Sequence, residues 1–135
     1  MNSMTVPATL EQLESVQKFI GWHLEAADCP PKTEIQIQVA VEELYVNIAH
    51  YAYGPQGGWA TIRCAVEASP RRIVIQFRDR GKPFNPLAKE DADTTLTAEE
   101  RQIGGLGILM VKKSMDAVRY DYVGGQNVLT IEKIL

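Results

Sequence analysis

This chain predicts an α+β sandwich of two layers, on two observations: three segments with helical apolar spacing, and two pairs of β-rich runs, each pair joined by a turn. Leu10, Leu13, Val16, Gln17 and Ile20 recur at helical spacing, so a first helix covers 10–27 until Asp28-Cys29-Pro30-Pro31 breaks it. Thr33 with Gln36 three residues later has the form of a capping box and opens a second helix, which Tyr53-Gly54-Pro55 ends. Residues 59–68 and 71–78 are β-rich and form a first hairpin around Ser69-Pro70. From 85 to 102 the pattern dissolves into a polar, acid-rich loop, and a loop of that length in so small a domain signals function. Gly104-Gly105 opens a third helix that ends near Met115. Residues 117–123 and 128–134, around Gly124-Gly125-Gln126-Asn127, make the second hairpin.

The 135 residues suit one domain, 1–135, long enough to bury a real core. Hydrophobic content of 45%, charged content of 23% and a net charge of -3 are ordinary for a folded soluble protein and give no electrostatic reason to expect nucleic-acid binding. No apolar stretch has the length to span a bilayer, and Met1-Asn-Ser-Met-Thr5 lacks the regions of a signal peptide, so a cytoplasmic protein without membrane contact is expected. Cys29 and Cys64 lack CxxC or Cys/His companions, which points to reduced core thiols rather than a disulfide or metal site.

On the second helix, Gln38, Glu42, Tyr45 and Ala49 share one side, expected to face solvent. Glu43 and Asn47 fall opposite, flanked by Val39 and Val46 and by Ile37, Leu44 and Ile48. A carboxylate and an amide one turn apart therefore point inward. A buried carboxylate requires a cation, a ligand or a hydrogen-bond network, and a basic partner on the sheet satisfies that requirement as well as a ligand does.

Asp79 closes the β-run 73–78 and precedes Gly81, so its carboxylate faces out of a strand end, while Gly81 lets the chain turn or a flat ring approach. Pro83-Phe84-Asn85-Pro86 stiffens the exit. Gly104-Gly105-Leu106-Gly107 begins a helix, where free N–H groups and the positive dipole end suit phosphate oxygens. The lysine of a Walker A loop and the protein-kinase signatures are absent from the sequence, so neither of those folds fits.

Read in order, these three stretches resemble the Bergerat-fold (GHKL) ATPases, and among them the small bacterial anti-sigma factor serine kinases. Glu43-x-x-x-Asn47 is similar to the family's N box, Asp79-x-Gly81-x-Pro-Phe-Asn-Pro86 to its first glycine box, and Gly104-Gly105-Leu106-Gly107-Ile108 to its second. Thr130 matches a threonine on the family's last strand near the adenine. The resemblance implies a mixed, mostly antiparallel sheet covered by three helices, with ATP and Mg²⁺ as cofactors. It further implies that Asp79 accepts from the adenine amino group, that Gly81 gives the ring room, that Asn47 ligates Mg²⁺, and that Glu43 is the general base. Residues 87–103 would form the lid, with Arg101 at the terminal phosphate. One departure stands out: Tyr51-Ala52-Tyr53 occupies the place of a His, a small residue and Tyr, and His50 comes one position earlier. His50 lies on the side of Glu43 and Asn47, where it could line the site, but the stronger expectation is a core histidine bonded to backbone.

Three functions follow from the resemblance. The first is an anti-sigma switch kinase that binds a sigma factor and phosphorylates a serine or threonine of a small STAS-like antagonist, with homodimerisation as a family expectation. The second is an ATP-gated binding module without phosphotransfer. The third, the detached catalytic domain of a sensor histidine kinase, is disfavoured because the chain has no room for a dimerisation helix pair and His23 lacks a phosphoacceptor setting.

Overall fold

The computed structural model describes residues 1–88 and 105–135. The elements are β1 (Asn2–Pro7), α1 (Leu13–Ala26) after a short 3-10 turn at Leu10–Gln12, α2 (Pro31–Tyr51), β2 (Trp59–Glu67), β3 (Arg72–Asp79), a second 3-10 turn at Pro86–Ala88, α3 (Gly105–Ser114), β4 (Ala117–Val123) and β5 (Gln126–Ile134). The strands form a five-stranded sheet in the order β1-β2-β3-β5-β4, and every pair among the described residues is antiparallel. The expected parallel component of the sheet is thus absent from them.

Alternation along the strands explains the two layers. Ala60, Ile62 and Cys64 on β2, Ile73, Ile75 and Phe77 on β3, and Leu129 and Ile131 on β5 form one apolar face. Against it pack Val16, Ile20 and Leu24 of α1, Ile37, Ala40, Val41 and Leu44 of α2, and Ile108, Val111 and Met115 of α3. Each fully buried Ile or Phe in that layer contributes about 1.5–3 kcal/mol. The opposite sheet face is polar: Arg78 and Gln76 are bonded side by side, and Glu132 takes hydrogen bonds from Arg119 and Arg72, which hold its carboxyl below the usual range.

Three expectations needed correction. The sequence reading lacked β1, whose pairing with β2 runs from Asn2↔Cys64 to Pro7↔Trp59. A six-residue edge strand carrying polar residues at alternate positions gives too short a pattern to announce itself. Helix α2 begins at Pro31 rather than Thr33, with Pro30 in the cap position and no side-chain cap bond, because proline at the first helical position supplies the helical φ and needs no donor. Of the face of α2 assigned to solvent, Glu42 is exposed as expected, but Gln38 and Tyr45 are covered by α1 and the β1–α1 junction. Tyr45 is 0% exposed, and Gln38 Nε2 donates to the Gln17 carbonyl at 2.9 Å. The solvent side carries Ile35, at 65% exposed, with Val39 and Glu42.

Cys29 and Cys64 are both free thiols; Cys64 is buried in the core, which pushes its thiol up to about 12.

Candidate functional site

Asp79 sits where the apolar row of β3 ends. Ile73, Ile75 and Phe77 turn toward the helices, so the next residue of the same parity does too, and Asp79 is only 7% exposed. Its register partner on β5 is Asn127. Asp79 Oδ1 accepts from the Gly81 N–H and from Asn127 Nδ2, both at 2.9 Å. Its Oδ2 has no hydrogen bond among the described residues, although the carboxylate is almost wholly enclosed.

The carboxylate forms the polar end of a pocket of roughly 490 Å³, mouth included, between the sheet and the C-terminal half of α2. Leu44, Ile48, Phe77, Phe84, Pro86 and Leu129 supply apolar walls, and Asn47, Lys82, Tyr120 and Asn127 the polar points. The combination of apolar walls with one buried acceptor suits a flat heterocycle bearing an N–H donor.

One turn before Asn47 on α2, Glu43 faces the start of α3. A Cβ at Gly107 would lie within 2.4 Å of all three Glu43 carboxyl atoms. Glu43 Oε1 is buried without a hydrogen-bond partner. Burial raises its carboxyl above the ordinary value; a hydrogen bond from the Asn47 side chain acts in the opposite direction, and the neighbouring Glu42 charge adds to the rise. If the Asn47 amide nitrogen donates to Glu43, its Oδ1 is left for a cation. Magnesium takes few protein ligands alongside phosphates and water, so a lone amide oxygen fits that ion. Among the described residues there is no group of three or more His, Cys, Asp or Glu able to hold a metal.

The fold thus brings Glu43, Asn47, Asp79 and Gly107 to one end of the molecule. Gly105 and Leu106 lie in the first turn of α3, while Arg101 and Gly104, with most of the expected lid, fall outside the described residues.

The structure also places Gly81 and Thr130. Gly81 makes room for the C-terminal cap of α2: a Cβ there would meet the Ala52 carbonyl oxygen at 2.1 Å, and Lys82 N donates to that same oxygen at 3.1 Å. Thr130 lies on the other face of the sheet, where its hydroxyl accepts from Gln76 Nε2 at 3.3 Å. Thr130 stands between Leu129 and Ile131, both of which turn toward the helices, so strand alternation sends it away from the pocket.

His50 is exposed, its ring edge-on to Tyr51, and is not a core histidine. His23 is buried between Phe19 and Trp22, and burial lowers its imidazole.

Asn127 and Tyr120 are the site residues that sequence reasoning missed. Asn127 belongs to a stretch that has the composition of a turn, and only the register of β5 against β3 reveals that it faces Asp79.

A sequence profile of the family described as histidine kinase-like ATPase domain matches residues 6–133. The chain is similar to a protein named serine/threonine-protein kinase BtrW from Bordetella bronchiseptica, 24% identical over 95 residues that make up 70% of this chain and 66% of that protein. It therefore spans just under two thirds of the length of that relative.

Among solved structures, a chain of the SiaB-SiaC complex from Pseudomonas aeruginosa superposes with a TM-score of 0.63 at 17% identity, covering 100% of this chain and 90% of the other. The RsbU and RsbW domains of a Mycobacterium tuberculosis protein give 0.64 at 14% identity, covering 100% and 33%. The histidine kinase domain of a blue-light activated kinase from Erythrobacter litoralis gives 0.56 at 15% identity, covering 96% and 62%. Similarity at this identity carries the fold.

Proposed function

The chain belongs to the histidine kinase-like ATPase domains, and from that premise we propose that it binds Mg²⁺-ATP and acts as a protein serine/threonine kinase in a bacterial partner switch. The observation that carries this reading is the placement of Glu43: a half-buried carboxylate, its Oε1 enclosed without a hydrogen-bond partner, one helical turn from Asn47, which in turn lines the same pocket as Asp79. In the proposed division of labour Asp79 accepts from the adenine amino group, Asn47 holds Mg²⁺, and the first turn of α3 faces the phosphates. Bound magnesium would supply charge neutralisation at the phosphates. Glu43 takes the proton of an attacking serine or threonine hydroxyl as its oxygen bonds to the terminal phosphorus and ADP departs, and its raised proton affinity suits that role.

The partners in this reading are a sigma factor and a small STAS-like antagonist, the latter being the phosphoacceptor. The names of the similar proteins support it: one is a serine/threonine kinase, and another was solved as a complex of SiaB with SiaC. A cytoplasmic location accords with it. No helix among the described residues is long and apolar enough to cross a membrane.

A second reading, an ATP-gated binding module without phosphotransfer, is favoured by one contact. The backbone of Gly107 packs against the Glu43 carboxylate, whose Oε1 is enclosed, which narrows the room for a substrate hydroxyl at the base.

Intact-protein mass spectrometry separates the two, applied to partners captured from the native cytosol and incubated with Mg²⁺-ATP and either this protein or Glu43→Ala. A single phosphate on a serine or threonine of one small partner, absent with the variant, is the expected result. Nucleotide-dependent capture without a mass change would favour the binding module.

A further inference from the structure

The Asn127 amide is held in one orientation by backbone groups that cannot change roles. Its Oδ1 accepts from the Phe84 N–H at 3.1 Å and from the Tyr120 hydroxyl. Its Nδ2 faces Asp79 Oδ1 and the Lys82 carbonyl, each at 2.9 Å, with the Gly81 carbonyl at 3.5 Å. A backbone N–H only donates and a carbonyl only accepts, so a flipped amide would set donor against donor at Phe84 and acceptor against acceptor at Lys82. Asn127 is buried, which makes either mismatch costly.

This fixed amide decides which part of Asp79 faces a ligand. With the Gly81 N–H, it places two donors on Oδ1 and so fixes the rotation of the carboxylate. Oδ2 is left as a lone acceptor at the polar end of an apolar slot. Both Asn127 amide hydrogens are already committed, so the amide itself offers no donor to a ring carbonyl. A purine with an amino group at C6 meets an acceptor there; one with a carbonyl oxygen sets acceptor against acceptor at Oδ2 and gains nothing from Asn127.

We propose that Asn127, itself held by Tyr120 and Phe84, is the positioning residue through which Asp79 selects a 6-aminopurine over a 6-oxopurine. The proposal deepens the ATP-binding reading above and rests on it. No motif in the sequence assigns Asn127, and the strand threonine Thr130 cannot do this work from the other face of the sheet.

The test is calorimetric measurement of dissociation constants for ATP and ITP, which carries a C6 carbonyl oxygen in place of the amino group, with the wild type, Asn127→Ala and Asn127→Ser. The wild type should prefer ATP. Asn127→Ala should reduce the ATP/ITP preference about tenfold, chiefly by weakening ATP, since loss of one well-placed hydrogen bond to a charged group is of that size. Asn127→Ser, whose hydroxyl can still donate, should recover part of the preference. A purely structural role would weaken both nucleotides equally, and an unchanged ratio in either folded variant overturns the proposal. Should the alanine variant fail to fold, the serine variant decides it alone, with a reduced ratio expected. A wild type that binds neither nucleotide overturns the ATP reading itself, and this inference with it.

Discussion

Gly107 and Glu43 occupy one another's space: a Cβ on Gly107 would stand 1.9 Å from the Glu43 carboxyl carbon. The start of α3 can therefore lie on α2 only because position 107 has no side chain. Gly107→Ala should displace the Glu43 carboxylate, lower phosphotransfer by at least about a hundredfold, and cost about 1–3 kcal/mol as overpacking. Combining it with Glu43→Ala removes the opposing group, so the stability loss should largely disappear in the double variant. Urea unfolding of the four proteins in this cycle checks it; additive losses would show that the collision lies elsewhere.

Glu43 also makes the stability of the fold depend on pH. Burial, the largest influence, raises its carboxyl above the ordinary value of 4.5. Between the two values the folded chain keeps a proton that the unfolded chain has released, so stability falls as pH rises through that window, and the loss persists above it. Glu43→Gln has no such titration. The variant should match the wild type below the ordinary value and exceed it by about 1 kcal/mol near neutrality, the size expected for relieving a buried unsatisfied group. Unfolding curves at both ends of the range measure the difference. A variant no more stable at neutral pH than in acid, relative to wild type, would contradict the account.

Asp79→Asn changes an acceptor into a group that carries both roles. Asn127 Nδ2 and the Gly81 N–H both require an acceptor, so the new amide would turn its oxygen to them and its nitrogen to the pocket. ATP should then bind about ten- to a hundredfold more weakly, because its amino group meets a donor. Calorimetry reads this directly, and an unchanged affinity would remove the adenine role from Asp79.

How far the site could be read from sequence follows from which contacts are local. Glu43 and Asn47 lie four residues apart on one helix, so helical geometry alone sets them side by side. The elements from α1 to β5 were legible for the same reason, since apolar spacing and Gly/Pro punctuation act within a few residues. Asn127 opposite Asp79 depends on the register of two strands separated by a helix and a third strand, which composition does not encode. Tyr45 was misassigned because a helix's apolar arc shows only that one face is buried. It does not show that α1 will cover a second face.

Tyr45 gives a prediction that separates stability from function. Its hydroxyl reaches the carbonyls of Thr9 at 2.7 Å and Pro7 at 3.1 Å, tying α2 to the junction between β1 and α1. The single hydroxyl hydrogen is shared between two acceptors, and the ring fills buried space that phenylalanine would fill equally well. Tyr45→Phe therefore deletes the hydrogen bonding without opening a cavity, and the two carbonyls lose a buried partner. The expected cost is about 1–2 kcal/mol in urea unfolding. ATP affinity should stay within about twofold of wild type, since Tyr45 does not line the pocket. A large loss of affinity at unchanged stability would mean that the β1–α1 junction acts on the nucleotide site, and that β1 does more than extend the sheet.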